Sequence, residues 1–81
     1  MKAKFTEPFQ RSLEKLSSET KEKFKKQLSF LLRDIRYPSL RAKKREELGD
    51  VWQARVNGNY RFYFQIKGNI YLILDILKHS K

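Results

Sequence analysis

Residues 52–81 read WQARVNGNYRFYFQIKGNIYLILDILKHSK. From Val51 onward apolar and polar side chains alternate with period two, broken only at Asn57-Gly58-Asn59 and Gly68-Asn69. Both interruptions are hairpin signals, so the stretch predicts three antiparallel strands, at about 51–56, 60–67 and 70–77. Loop length then decides which residues share a face. A three-residue turn at 57–59 pairs Trp52 with Phe64, Gln53 with Tyr63, Ala54 with Phe62 and Arg55 with Arg61. That choice gathers Trp52, Ala54, Val56, Tyr60, Phe62 and Phe64 on one face and leaves Gln53, Arg55, Arg61, Tyr63 and Gln65 on the other. A two-residue turn would place Arg55 beside Tyr60 and Phe62, so the longer turn is preferred.

The same loop length at 67–69 pairs Phe64 with Leu72, Phe62 with Leu74 and Arg61 with Asp75. Ile70, Leu72, Leu74 and Ile76 then join the apolar face, and Tyr71, Ile73, Asp75, Leu77 and His79 join the polar one. A two-residue Gly68-Asn69 turn would set Asp75 beside Phe62, which is costly for a carboxylate without a partner. On this register Arg55, Arg61, Asp75 and His79 share the open face. Two readings fit that arrangement: an Arg61–Asp75 ion pair on a half-wet sheet, or an anion site built on rigid strands.

Working back toward the first residue, Lys2 to Thr6 suits a short strand. Thr6 suits a helix N-cap, followed by Glu7 and Pro8, and Phe9, Leu13 and Leu16 form one helical face. Ser18 suits the cap of a second helix whose stripe is Phe24, Leu28, Leu31, Leu32 and Ile35. That helix is expected to end near Tyr37, ahead of Pro38. Residues 39–50, SLRAKKREELGD, read as a loop or a short helical turn. The fold class is therefore α+β: a short N-terminal strand, two helices, then a three-stranded antiparallel meander, with both helices on one face of the sheet. Residues 1–81 make a single domain at this length.

Nineteen Lys and Arg against nine Asp and Glu give a formal net charge of +10. Such a charge makes a small domain repel itself and points to a polyanionic or acidic partner, beyond mere solubility. The absence of cysteine removes disulfides, thiolate metal sites and thiol nucleophiles. His79, the one histidine, cannot build a His-based zinc site by itself. No apolar run reaches the ~18 residues of a membrane span, and MKAKFTEPFQ carries no apolar signal-peptide region. A cytoplasmic protein with no metal and no cofactor is expected.

The segment LGDVWQARVNGNYRFYFQIKGNIYLILDILKH, residues 48–79, resembles the RelE/ParE superfamily of type II toxin–antitoxin toxins. The matching pattern is an aromatic at Trp52, then Arg55, a turn, Tyr60-Arg61 opening an apolar strand, and a last strand ending in a basic pair. The strand–helix–helix order ahead of it matches as well. The resemblance implies a toxin held inactive by a cognate, acidic antitoxin. RelE-like members cleave messenger RNA on the ribosome and so inhibit translation. ParE-like members poison DNA gyrase and have no known nuclease chemistry.

On the RelE-like side the resemblance implies a metal-independent endoribonuclease. Arg61 would bind the scissile phosphate, Arg55 would stabilise the transition state, and His79 would serve as acid or base. Arg41, Lys43, Lys44, Arg45, Lys78 and Lys81 would contact RNA and ribosome. Guanidinium groups can stabilise a phosphorane by paired hydrogen bonds, and an imidazole can move protons near neutral pH. Several RelE-like toxins carry a tyrosine a few residues beyond the basic pair, and none follows His79 here. That departure leaves three outcomes: weaker activity, activity dependent on His79, or none. A gyrase inhibitor and a non-catalytic RNA-binding domain are the alternatives to the nuclease.

Overall fold

Two side-chain oxygens start the helices. Thr6 Oγ1 accepts from the Phe9 N–H at 3.3 Å, and Ser17 Oγ accepts from the Thr20 N–H at 3.1 Å. The second cap thus lies one residue before the expected Ser18. The computed structural model describes residues 1–79. Its elements are β1 (Lys2–Phe5), α1 (Glu7–Glu14), α2 (Ser18–Arg33), β2 (Lys43–Arg45), β3 (Val51–Arg55), β4 (Tyr60–Lys67) and β5 (Ile70–Lys78). Short 3-10 turns at Pro38–Leu40 and Glu46–Leu48 flank β2. The end of α2 at Arg33 comes earlier than the expected Tyr37, because Asp34 swings to extended backbone at φ −164°.

The strands form one sheet in the order β1-β5-β4-β3-β2, with β1 parallel to β5 and the remaining pairs antiparallel. The α+β class stands as expected, but the sheet has five strands. The additional strand, β2, comes from the basic segment that reads as loop or helical turn. It pairs Lys43 with Gln53, Lys44 with Trp52 and Arg45 with Val51.

The β3–β4 pairing has the expected register, Trp52 with Phe64 through Arg55 with Arg61. The β4–β5 hairpin does not. Lys67 pairs with Ile70 across a two-residue Gly68-Asn69 turn. Gly68 has φ +61° while Asn69 is not left-handed, the pattern of a type II′ turn, which favours glycine at its first central position. Tyr71 and Ile73 therefore face the helices and are buried, correcting their expected place on the open face. The strand then bulges: Phe64 pairs with Ile73 but Tyr63 with Asp75, so Leu74 is the extra residue. A one-residue bulge reverses facing beyond it. Ile76 is buried, while Asp75 and Leu77 share the face of Tyr63 and Arg61. Arg61 lies opposite Leu77 and not Asp75, and no ion pair joins Arg61 to Asp75 among the described residues.

Between helices and sheet the core is a run of aromatic contacts. Phe9–Phe24, Phe24–Phe62, Phe62–Phe64 and Phe64–Tyr71 have ring centroids 5.1, 5.1, 5.8 and 5.5 Å apart. Leu31, Leu40, Ala54, Val56, Ile73 and Ile76 complete it. Thr6 locks α1 to this sheet, its hydroxyl lying 3.0 and 2.9 Å from the carbonyls of Ile73 and Leu74 at the bulge. Among the described residues no helix is long and apolar enough to cross a membrane.

Candidate functional site on the open face of the sheet

On the face away from the helices, Arg41, Lys43, Gln53, Arg55, Arg61 and His79 line a cavity of about 250 Å³. They arrive from several pieces of the fold. Arg55 and Arg61 lie directly across the β3–β4 pair, and Gln53 is two residues before Arg55 on the same strand face. Lys43 is the β2 partner of Gln53. His79 follows β5, and its N–H donates to the Asn59 carbonyl at 2.6 Å, which pins it beside the β3–β4 loop.

Two guanidinium groups opposite one another repel. The loop offsets that repulsion with a carbonyl placed for both. Arg61 Nη1 donates to the Asn57 carbonyl at 2.8 Å and to the Tyr60 carbonyl at 3.0 Å, and Arg55 Nε donates to the same Asn57 carbonyl at 3.4 Å. The loop itself is fixed by Asn57 Oδ1, which accepts from the N–H groups of Asn59 and Tyr60 at 2.8 and 2.9 Å. This is an Asx-type turn, a conformation that the asparagine side chain stabilises.

The pocket is electrostatically one-sided. Burial, then Arg55, and to a smaller degree Arg41, hold the Arg61 pKa below its ordinary value, with Tyr63 opposing them. Arginine nonetheless stays protonated at any ordinary pH, so Arg61 remains a crowded cation that a bound anion would relieve. Among the described residues the cavity lining has no carboxylate. None of its cations takes part in an ion pair among the described residues; the pairs found are Arg11–Glu7, Lys25–Glu22, Arg36–Asp34, Lys44–Asp50 and Arg45–Glu47.

Of the residues expected from sequence, the structure brings Arg41, Lys43, Arg55, Arg61 and His79 together. Others stand apart. Lys44 is on the alternate side of β2 from Lys43 and pairs with Asp50 at 3.4 Å. Arg45 is engaged by Glu47 and by the buried Gln53 at 2.5 Å. Lys78 is exposed opposite Tyr60, outside the cavity lining. Lys81 lies outside the described residues.

One contributor escaped the sequence reading. Gln27 of α2 is only 2% exposed. Its Nε2 donates to the carbonyls of Arg55 (2.8 Å) and Ser39 (3.0 Å), and its Oε1 accepts from the Ser39 hydroxyl at 3.1 Å. It thereby ties the backbone that carries Arg55 to the turn that precedes Arg41. The signal was present: Gln27 is a polar residue three positions after Phe24 and four before Leu31, within the apolar stripe.

Arg41 adopts φ +46°, the left-handed region. A non-glycine residue there is uncommon, and such strain tends to collect at functional sites.

The fold is similar to that of several solved toxins. The YoeB/ParE toxin from Agrobacterium tumefaciens superposes with TM-score 0.83 at 15% identity, over 99% of this chain and 100% of that one. The intact Escherichia coli RelBE toxin–antitoxin complex gives TM-score 0.77 at 21% identity, over 98% and 96%. The toxin–antitoxin complex RelBE2 from Mycobacterium tuberculosis gives 0.71 at 27% identity, over 96% of each chain. No curated protein sequence matches the chain. A family model does: the chain belongs to the ParE toxin family of type II toxin–antitoxin systems, parDE, matched over residues 3–81.

Proposed function

We propose that this toxin is a ribosome-dependent, metal-independent endoribonuclease that cuts messenger RNA and so inhibits translation in the cytoplasm. The observation that carries the reading is the convergence of Arg41, Lys43, Arg55, Arg61 and His79 on one cavity with no carboxylate in its wall among the described residues. A phosphodiester is the anion such a wall fits. In this reading the substrate's 2′ oxygen attacks the adjacent phosphorus. The P–O5′ bond breaks, leaving a 2′,3′-cyclic phosphate and a 5′ hydroxyl. Arg61 and Arg55 hold the non-bridging oxygens as negative charge grows. His79 protonates the leaving 5′ oxygen. Solvent in the open cavity takes the 2′ proton. Lys43 in the wall, with Lys44, Arg45 and Lys78 outside it, supplies field toward RNA and ribosome.

The partner that restrains it in this reading is an acidic antitoxin. The +10 charge supports that, as do the RelBE relatives solved as toxin–antitoxin complexes. Mapping RNA ends in bacteria expressing the protein tests the function. Wild type is expected to arrest growth with new cuts inside translated frames, and Arg61→Ala to give neither. Growth arrest with intact messages would sink the nuclease. The family's parDE description favours a second reading, gyrase inhibition. In that case plasmid supercoiling changes while messages stay whole.

A further inference from the structure

A second hollow, of about 470 Å³, opens between α2 and the β3–β4 loop. Lys23, Arg41 and Arg55 are its charged residues, Ser39, Asn57 and Gly58 are among the others, and it too has no acid in its lining among the described residues. Arg41 and Arg55 line both hollows. The two are thus one cationic path, running from His79 over an Arg41–Arg55 wall to Lys23. The floor of the second hollow is held by Gln27, whose bonds to the Arg55 and Ser39 carbonyls preset the spacing of its walls. Lys23 is exposed and in no ion pair among the described residues, unlike Lys25 two positions on, which pairs with Glu22 at 3.3 Å. Arg41 occupies a left-handed backbone position that glycine would take without strain. A long cation there stands between the hollows at the expense of local comfort.

Resting on the nuclease reading above, we propose that the second hollow is a subsite for the backbone phosphate of a neighbouring nucleotide, so that the protein grips single-stranded RNA on one side of the scissile step as well as at it. Among the described residues its lining has no aromatic side chain on which a base could stack. The subsite therefore holds phosphate and ribose, adding affinity without sequence preference. It also accounts for the two shared arginines: a polyanion crossing their wall meets both with consecutive phosphates.

The test uses the whole protein and RNA oligonucleotides made uncleavable by a 2′-deoxy group at the reactive position. Binding is followed by fluorescence anisotropy over a range of salt, for a dinucleotide step and for five-nucleotide strands extended on its 5′ or its 3′ side. One of the two extensions is expected to bind more tightly than the dinucleotide with a steeper salt dependence. Lys23→Ala should weaken that strand several-fold and flatten its log–log salt slope by about 0.7, the value for one phosphate contact on single-stranded nucleic acid. The dinucleotide should be unaffected by Lys23→Ala, and Lys25→Ala should change neither ligand. If Lys23→Ala leaves the longer strand's slope and affinity intact, or if Lys25→Ala has the same effect, the subsite is refuted while the nuclease reading stands. If wild type binds no RNA of any length, the subsite is refuted, and the ribosome-dependent nuclease is judged separately by the RNA-end mapping described above.

Discussion

Replacing Gln27 by leucine should damage this protein more than any other single change of similar volume on α2. Gln27 makes three hydrogen bonds from a buried position, to the Arg55 carbonyl and to both the carbonyl and hydroxyl of Ser39. Each such bond is worth about 1 kcal/mol, and an acceptor left dry costs at least that much. Three losses come to about 3 kcal/mol, and the leucine returns on the order of 1 kcal/mol through its apolar burial. The net loss is about 2 kcal/mol. For a domain of this size each kcal/mol lowers Tm by about 4–8 °C, so Gln27→Leu should melt about 8–16 °C below wild type. Circular dichroism melts at pH 7 measure it. Gln27→Glu should be worse at that pH, because a carboxylate would then face two carbonyl oxygens. On the nuclease reading, RNA cleavage assayed well below both melting points should also fall, by up to about 100-fold, since a displacement of about 1 Å at the reacting groups has that effect. A Gln27→Leu protein that melts within about 2 °C of wild type, less than ~0.5 kcal/mol, would refute the tether.

Further expectations follow from the crowded cations and from the flanks of the site. Inorganic phosphate should raise Tm more than chloride at equal ionic strength; at ten times its dissociation constant it contributes about 1.4 kcal/mol by linkage, and a double Arg55→Ala, Arg61→Ala variant should lose the difference in scanning fluorimetry. Arg41→Gly should keep or slightly raise Tm, because the left-handed position costs a non-glycine residue about 1–2 kcal/mol, yet should weaken RNA binding; a fall in Tm with unchanged binding would contradict the strain argument. Glu47 is held below its ordinary pKa of 4.5 chiefly by its hydrogen bond to Arg45. Because the folded value is the lower one, the stabilisation is complete above that ordinary value and is lost as pH falls through the folded value. Glu47→Gln should therefore melt slightly below wild type at pH 7, with the gap closing on acidification below 4.5; a gap that widens in acid would contradict the sign.

Much of the fold was legible because patterning and turn chemistry agreed. The Asn57-Gly58-Asn59 loop has only one length that separates Trp52, Ala54 and Phe62 from Gln53, Arg55 and Arg61, and that register is the one found. The β4–β5 hairpin failed for an identifiable reason. Its turn is shorter by one residue than expected, and the bulge at Leu74 inserts one residue later. The two displacements add to two residues beyond the bulge, which restores the facing but not the pairing, so Asp75 and Leu77 reach the expected face while Tyr71 and Ile73 do not. A tight turn alone would have set Asp75 against Phe62; the bulge is what prevents it. Strand β2 was illegible because Lys43-Lys44-Arg45 has no apolar alternation, and only pairing with β3 makes it extended. The cluster of Arg55, Arg61 and His79 could be found from spacing. The left-handed Arg41 could not, since nothing in its neighbours demands that conformation.

The sheet order has a bearing on timing. Strand β1 pairs with β5 alone, Lys2 lying beside Ile70. Thr6 likewise anchors α1 on carbonyls of β5. As the chain is synthesised, its first strand and first helix have no seat until nearly everything else has been made. Contacts of such long sequence separation also slow folding after release. The arginine face shares that dependence, because His79 joins it only when β5 has run the length of β4. A nascent chain accordingly holds the parts of the cationic hollow without their assembly until β5 has been made.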